Sequence, residues 1–356
     1  MTAFAYDALP GRVVFGPGVA RSGLVDEVDA LGGARVLLVA GDAEIELARE
    51  LCVPFAGRIA ATFSAVRPHV PVETAERARE AAAGVDLVLS IGGGSTTGTA
   101  KAVALTTGLP VLAVPTTYAG SEVTPVWGLT EGNRKTTGTD HRVLPKTVVY
   151  DPDLTLTLPA ALSVASGLNA MAHCVEAFWA PRRNPVSSAV AEHGIRRLVA
   201  GLPAVAADPG DRAARADLLL GAYLAGSAFA VAGSGLHHKI CHVLGGAFDL
   251  PHAQTHAIVL PHVVAYNAPG APEAITRIAG ALGEGDAAGG IHALGRALGV
   301  PSGLRELGLV EGDLDSIIDP ILAVAPADNP TAVTREGVRT LLHDAWADAA
   351  PGKETA

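Results

Sequence analysis

The feature that most limits the possible folds is an alternation of short apolar runs with segments of helical spacing in the first part of the chain. The apolar runs predict strands at Arg35–Ala40, Arg58–Val66, Val85–Ile91, Leu109–Val114 and Thr147–Tyr150. Helical spacing follows two of these runs, over Glu44–Leu51 and Val72–Ala83, and Arg12–Gly18 predicts an edge hairpin. Strands that alternate with helices form a parallel sheet covered by crossover helices.

The pattern changes near Leu158, where β-branched runs become rare and long Ala- and Leu-rich segments of helical spacing begin. This change predicts an α/β N-terminal domain with a parallel Rossmann-like sheet over residues 1–157. An all-α C-terminal domain is predicted over residues 158–356.

Charge and composition exclude several classes of protein. The net charge of −10 does not suit a nucleic-acid partner, because phosphate contacts need clustered Lys and Arg. Three scattered cysteines do not suit a disulfide framework. The uncharged stretch Leu218–Leu236 is long enough to span a bilayer, but its glycines, serines and following histidines favour a buried helix. We therefore expect a cytoplasmic protein without a membrane partner.

A glycine-rich turn follows the third predicted strand, at Gly92, Gly93, Gly94 and Ser95. Glycines let the backbone approach a pyrophosphate, and the helix that follows points free N–H groups at the anion. By itself the turn is also compatible with a site that binds nothing. Hydroxyl residues follow the next strand, at Thr116, Thr117 and Ser121, and ligands of open α/β sheets collect at that edge.

A second group of polar residues lies in the predicted helical domain. Asn169 and His173 are four residues apart and share one helix face, as do His238 and His242. His252 follows after a turn. A lone histidine on an apolar helix face is usually structural. Four histidines on consecutive apolar helices indicate a functional site instead. The outlying histidines, including His256 and His262, are interpreted as structural.

The order and spacing of these motifs resemble the iron-containing alcohol dehydrogenases, which have a dehydroquinate synthase-like fold, across almost the whole chain. In that family an Asp, a His four residues later and two further His fourteen residues apart hold a divalent metal. His173, His238 and His252 match the three histidines, and Asn169 stands where the carboxylate is expected. His242 matches a histidine that lies beside the cofactor and relays protons.

Asn at this position also occurs in the branch of the family that reduces maleylacetate to 3-oxoadipate in aromatic degradation, and that branch is thought to work without added metal. Gly98 likewise replaces an Asp that is common in the metal-dependent members. The resemblance therefore implies NADH- or NADPH-dependent reduction of a carbon–carbon double bond in maleylacetate or a related enone or keto acid. A metal is not expected to be required, although three histidines alone can hold zinc.

The resemblance and the chemistry of imidazole suggest roles for the cluster. We expect His242 to donate or relay a proton, while His173, His238 and His252 bind the ketone and a carboxylate. Asn169 would act as a neutral donor.

Three further residues are expected to anchor the other carboxylate of a small dicarboxylate substrate. They are Tyr118, His237 and Lys239, and for Lys239 a surface role is equally compatible with the sequence.

The position that discriminates NADH from NADPH in relatives falls on Gly41, with Asp42 next to it. Gly41 would admit a 2′-phosphate and Asp42 would repel it, so the sequence leaves both cofactors open. A homodimer is expected, as for most enzymes of this kind.

Three alternative functions remain on this fold. The first is a metal-dependent alcohol dehydrogenase that uses iron or zinc, which Asn169 disfavours. The second is a non-reductive cyclase, which would need a carboxylate-containing zinc site and more cationic residues. The third is a protein that binds a nucleotide without catalysis, which the histidine set disfavours.

Overall fold

The computed structural model describes residues 4–9, 11–132 and 134–352, which form two compact units. The sheet unit takes Ala8–Pro159 and Gly210–Leu219. The helical unit takes Ala160–Pro209, the chain from Leu220 onwards and the described residues before Ala8. The main change of unit lies between Pro159 and Ala160, and Gly210–Leu219 belongs to the sheet unit although it follows in the helical part of the chain.

The strands of the sheet unit, in chain order, are β1 (Arg12–Phe15), β2 (Val36–Val39), β3 (Ile59–Phe63), β4 (Leu87–Gly92), β5 (Val111–Pro115), β6 (Val126–Glu131), β7 (Arg134–Thr139) and β8 (Thr147–Tyr150). Its helices are α1 (Val19–Ala30), α2 (Ile45–Cys52), α3 (Val72–Ala81) and α4 (Gly94–Thr107). Among the described residues the main sheet has six parallel strands in the order β1-β8-β5-β4-β2-β3. The predicted parallel sheet is confirmed.

Alternate residues of the central strands pack against helices on opposite faces of the sheet. Val36 and Leu38 of β2 belong to a core shared with α1 and α2, whereas Leu37 and Val39 belong to a core shared with α3 and α4. Because both faces are covered, β2 and β4 are apolar at almost every position rather than at every second one.

The expected hairpin over Arg12–Gly18 is wrong. β1 is an edge strand that pairs in parallel with β8, and the chain continues into α1 instead of reversing. Gly18 turns the chain with a φ of 74°, and the carboxylate of Asp151 accepts hydrogen bonds from the N–H groups of Gly18 (3.0 Å) and Ala20 (3.1 Å). This carboxylate stabilises the first turn of the helix.

An antiparallel pair, β6 and β7, was not predicted from the sequence. β7 has three Thr among its six residues and lacks the alternation of apolar and polar residues that usually indicates a half-buried strand. Trp127 packs over Gly138 of β7, where a Cβ would lie 2.6 Å from the indole ring. The two strands are therefore joined by a tertiary contact that the sequence pattern does not show.

The strand order reverses between β2 and β4. The chain moves from β2 outward to β3 on one side, and from β4 outward to β5 on the other. Such a switch point leaves a crevice at the carboxyl ends of the two strands, which is where open α/β sheets bind ligands. Gly41–Asp42 follows β2 and Gly92–Gly94 ends β4, so both predicted cofactor motifs border this crevice.

The helical unit is built from α5 (Ala160–Glu176), α6 (Pro185–Ala207), the later part of α7 (Arg212–Ala232), α8 (Leu236–Phe248), α9 (His252–Asn267), α10 (Pro272–Leu282), α11 (Ala287–Ala297), α12 (Ile318–Val324) and α13 (Arg335–Ala347). α9 lies centrally and contacts α5, α8, α11 and α13. Leu244, Val263, Ile318 and Leu342 are among the buried side chains that join α8, α9, α12 and α13 in one core.

By length and apolar composition α7 could cross a membrane. In its most apolar window of 18 residues, 56% of the positions are buried inside the protein. The core helices of globular proteins also pass such a test. The expected single buried helix over Leu218–Leu236 is wrong in its bounds, because α7 ends at Ala232 and α8 begins at Leu236.

The three cysteines, Cys52, Cys174 and Cys241, are free and buried. Burial raises the pKa of the Cys52 thiol to about 12 and raises the pKa values of the other two as well. All three are therefore neutral thiols at neutral pH.

Candidate active site

The glycine-rich turn and the hydroxyl residues after β5 lie side by side. Gly92 pairs with Pro115 across β4 and β5, and the N–H of Thr116 donates to the carbonyl of Gly92 at 3.1 Å. Ser95 and Thr117 are half-buried at the same edge. The parallel register thus brings the two predicted halves of the cofactor site together.

Glycine is required in this turn because the backbone passes very close to its neighbours. Gly92 has a φ of +150°, and a Cβ on it would lie 2.5 Å from Oγ1 of Thr96. A Cβ on Gly93 would lie 3.0 Å from Cγ2 of Thr117. α4 begins at Gly94 without a side-chain cap, so its first N–H groups can bind an anion.

Lys101 braces the segment that carries Ser121, a role that the sequence did not suggest. Its fully buried ammonium group donates to the carbonyl oxygens of Ser121 (2.5 Å), Thr124 (2.8 Å) and Val126 (2.8 Å). Burial lowers the pKa of Lys101 to about 7, and the nearby carboxylate of Glu122 opposes this shift. The ammonium fixes the loop after β5 to α4, so the two cofactor segments are held in one arrangement.

Replacing Gly93 with valine should weaken cofactor binding. The added side chain would push against Thr117, so the two segments would separate, and we expect the KM for the nicotinamide cofactor to rise at least ~10-fold, which is about 1.4 kcal/mol. Gly108→Ala is the matched control, because Gly108 ends the same helix in open space with a φ of +70°. That variant should lose about 1–2 kcal/mol of stability without a change in KM. An unchanged KM in Gly93→Val would contradict this placement of the cofactor.

Two carboxylates lie after the end of β2, near Gly41, the position that is expected to discriminate NADH from NADPH. Asp42 is exposed, and Glu44 lies close enough to Gly41 that a Cβ there would be 3.0 Å from Oε2 of Glu44. The sequence predicts that Asp42 repels a 2′-phosphate. The position of Glu44 beside Gly41 follows only from the fold of the turn.

In the helical unit α5, α8 and α9 bring the predicted histidines together. The rings of His173 and His238 are stacked with centroids 4.9 Å apart, and His242 lies 6.1 Å from His238. The rings of His242 and His252 are stacked at 6.4 Å. The i, i+4 spacing on α5 and α8 therefore predicted a real cluster.

His256, which the sequence analysis treated as structural, lies within this cluster. Its ring centroid is 4.3 Å from that of His252 and 4.9 Å from that of His238, and its Nδ1 is 2.9 Å from Nε2 of His237. Its spacing of four from His252 was the available signal. Burial lowers the pKa values of His173, His237 and His256 well below the usual range, and the neighbouring histidines add to this effect. These rings are therefore neutral.

Glu176 is a second residue that the sequence analysis missed. Its fully buried carboxylate lies at the C-terminal end of α5 and contacts Nδ1 of His238 at 2.5 Å. It also accepts hydrogen bonds from the backbone N–H groups of Gly235 (2.8 Å) and His237 (2.7 Å) at the start of α8.

Several buried polar atoms in and beside the cluster have no hydrogen-bond partner among the described residues. They are Oδ1 of Asn169, Nδ1 of His173, Nε2 of His238 and Nε2 of His256. A buried polar atom without a partner costs about 1–3 kcal/mol, so such atoms are rare unless a ligand pairs with them. Their concentration here marks a binding site, while His242 and His252 are exposed at its edge.

The three predicted anchors for the second carboxylate differ in burial and in their hydrogen bonds. Tyr118 lies in the sheet unit, where its buried hydroxyl accepts a hydrogen bond from Arg215 at 3.1 Å. His237 is buried and bonded to His256, so its Nε2 is not available to a substrate. Lys239 is half-buried on α8, and its role as a carboxylate anchor stays a prediction.

The donors present meet most, but not all, of the needs of a divalent metal. Nδ1 of His173 and Nε2 of His238 are unpartnered, and the contact of His238 with Glu176 is the orientation that metal-binding histidines usually have. His173, His238 and His252 would be the ligands. The fourth position is the neutral amide of Asn169, which lacks the charge attraction of a carboxylate.

Family models match both parts of the chain. The family model described as iron-containing alcohol dehydrogenase matches residues 10–152, and that of the Fe-containing alcohol dehydrogenase family, C-terminal, matches residues 163–346. A maleylacetate reductase of Sphingobium indicum is 50% identical over 342 residues, 95% of this chain and 96% of that protein.

Two crystal structures illustrate the structural likeness. An iron-containing alcohol dehydrogenase of Corynebacterium glutamicum has a TM-score of 0.93 and 49% identity over 97% of both chains. A maleylacetate reductase of Agrobacterium tumefaciens has a TM-score of 0.95 and 42% identity over 99% of this chain and 100% of that one.

Proposed function

The chain belongs to the iron-containing alcohol dehydrogenase family, and on that premise we propose that it is a reductase of maleylacetate. The reaction is the NADH- or NADPH-dependent reduction of a carbon–carbon double bond conjugated to a ketone, which gives 3-oxoadipate. The relatives named above and the buried, unpartnered atoms of the histidine cluster support this proposal.

The observation that carries the proposal is the set of neutral donors and acceptors with Asn169 in place of a carboxylate. A dicarboxylate substrate brings two negative charges, so an Asp at this position would repel it. Asn169 and the imidazole of His173 bring no negative charge, and the unpartnered Nδ1 of His173 can donate a hydrogen bond to a substrate oxygen when it carries the proton. The site therefore suits an anionic substrate better than a metal-bound alcohol.

The bound dihydronicotinamide supplies a hydride to the carbon β to the ketone. The resulting enolate oxygen needs preorganised donors, and the imidazole of His173 and the amide of Asn169 can provide them. His242, exposed at the edge of the cluster, delivers the proton to the α carbon. A hydride from the dihydronicotinamide and a proton from His242 would together balance the reduction of the double bond.

A chelator-treated enzyme assayed with maleylacetate and with a simple aldehyde tests the proposal. We expect rapid cofactor oxidation with maleylacetate alone, unchanged by added zinc or iron, because no step requires a metal. Activity only on the aldehyde, and only after metal is restored, would instead show a metal-dependent alcohol dehydrogenase that uses His173, His238 and His252.

We expect NADH to be preferred over NADPH. The carboxylates of Asp42 and Glu44 would repel a 2′-phosphate and can accept a hydrogen bond from a ribose hydroxyl. Like charges in contact cost several kcal/mol, so kcat/KM should favour NADH at least ~10-fold. The double variant Asp42→Asn, Glu44→Gln should lose most of this preference.

The control is Glu46→Gln, because Glu46 lies on α2 and pairs with Arg49 at the surface. A double variant with an unchanged ratio of NADH to NADPH activity would show that the discrimination arises elsewhere.

A cytoplasmic homodimer completes the proposal, since closed dimers are common among enzymes of this type. The net charge of −10 supports the absence of a nucleic-acid partner. Light scattering after size exclusion measures the assembly directly.

A further inference from the structure

We propose that Glu176 is a positioning residue that fixes the tautomer of His238 and so presents an unprotonated Nε2 to the substrate. This inference rests on the proposed function for its effect on turnover. Its structural part, the tautomer, can be measured without any substrate.

Both side-chain oxygens of Glu176 accept hydrogen bonds from the backbone. Its Oε1 accepts from the N–H of His237 at 2.7 Å, and its Oε2 accepts from the N–H of Gly235 at 2.8 Å. Both oxygens therefore face hydrogen-bond donors. Each oxygen already accepts a hydrogen bond from the backbone, so the contact with His238 adds a third hydrogen bond to the same group.

The third contact then sets the protonation of His238. Oε2 of Glu176 lies 2.5 Å from Nδ1 of the imidazole, so Nδ1 must carry the proton and donate it. In a neutral imidazole the other nitrogen is then a bare acceptor. Nε2 of His238 is buried and has no partner in the described part of the chain, so it is the atom left for a ligand.

The fold protects this arrangement. Glu176 lies three residues after His173 on α5, and its carboxylate also serves the first backbone N–H groups of α8, the helix that carries His238. Gly235 leaves space for the carboxylate, because a Cβ there would lie 2.7 Å from Oε1 of Glu176. One buried charge thus stabilises the start of α8 and orients its histidine.

In the reaction, the unprotonated Nε2 of an oriented His238 can accept a hydrogen bond from an O–H group of the substrate's hydrated form without rotation of the ring. If the proton moved to Nε2, the ring would lose its hydrogen bond to Glu176. Outer contacts of this kind typically change activity by about 10–100-fold when they are removed.

Two variants disturb the contact in different ways. Glu176→Gln replaces one oxygen by an NH₂ group, so either the backbone N–H groups or Nδ1 of His238 must face a donor. Gly235→Ala keeps the carboxylate but displaces it. Glu192→Gln is the control, since Glu192 pairs with Arg196 and Arg277 at the surface of the same unit.

The first readout is the histidine tautomer in the cofactor-free protein. Nitrogen NMR of protein labelled with ¹⁵N-histidine, with His238→Gln to assign the signal, should show Nδ1–H in the wild type and in the control. Glu176→Gln should shift His238 towards Nε2–H. A His238 signal that is the same in the wild type and in both variants would overturn the proposal.

The second readout is steady-state kinetics with maleylacetate. We expect kcat to fall about 10–100-fold in both variants, while the KM for NADH stays within about twofold of the wild type. A fall in kcat no larger than that of Glu192→Gln would also overturn the proposal. If Glu176→Gln does not fold, Gly235→Ala carries both measurements. A wild type with the expected tautomer but no reductase activity would refute the proposed function and leave the Glu176 contact established.

Discussion

Replacing His242 with alanine is expected to lower kcat for maleylacetate by about 10²–10⁴-fold, the usual contribution of a positioned general acid. His242 is exposed, lies one helical turn after His238, and its ring stacks with that of His252. Removing an exposed side chain costs little stability, so the loss should appear in kcat with a melting temperature close to that of the wild type. Steady-state kinetics and a thermal melt measure both.

The control for this prediction is His343→Ala. His343 is also an exposed helical histidine, but it pairs with Glu311 in another part of the helical unit. It should retain full activity. A His242→Ala enzyme as active as this control would show that water or another residue supplies the proton.

Replacing Asn169 with aspartate should convert the substrate site into a metal site. The carboxylate would complete a set with His173, His238 and His252, and zinc is held well by such nitrogen and oxygen ligands. The new charge would repel the dicarboxylate at a cost of several kcal/mol, so its KM should rise at least ~100-fold. Elemental analysis after gel filtration should find zinc retained by the variant and not by the wild type.

Asn169→Leu separates charge from shape, because leucine has a similar size and brings no carboxylate. It should retain no zinc and should raise the KM for maleylacetate less than the aspartate does. Zinc retained by the wild type as fully as by Asn169→Asp would contradict the metal-free mechanism, and zinc retained by neither would contradict the conversion into a metal site.

The sheet and its ligand edge could be predicted because their signals are local in the chain. Buried parallel strands such as β2 and β4 are continuous apolar runs, and the glycines at Gly92 and Gly93 mark a turn that other residues cannot make. The sequence also indicated that β1 is an edge strand. It could not indicate that β8 is the partner of β1, because this parallel pairing joins residues far apart in the sequence.

The histidine cluster was predicted as a group, whereas its organisation was not. Spacing along a helix shows which side chains share a face, and this identified His173, His238 and His242. It cannot show that Glu176 on α5 reaches the start of α8, or that His256 turns inward. Such contacts depend on how separate helices pack, which the sequence of either helix alone does not contain.

The burial of the cysteines should protect the enzyme from alkylation by its own substrate. Conjugated unsaturated ketones are electrophiles that alkylate proteins, and the group they attack is the thiolate rather than the thiol. Cys52, Cys174 and Cys241 are shielded from such reagents and are held as thiols by their raised pKa values. An enzyme that handles an alkylating substrate at every turnover thus offers it no nucleophilic sulfur, and so is spared slow self-inactivation.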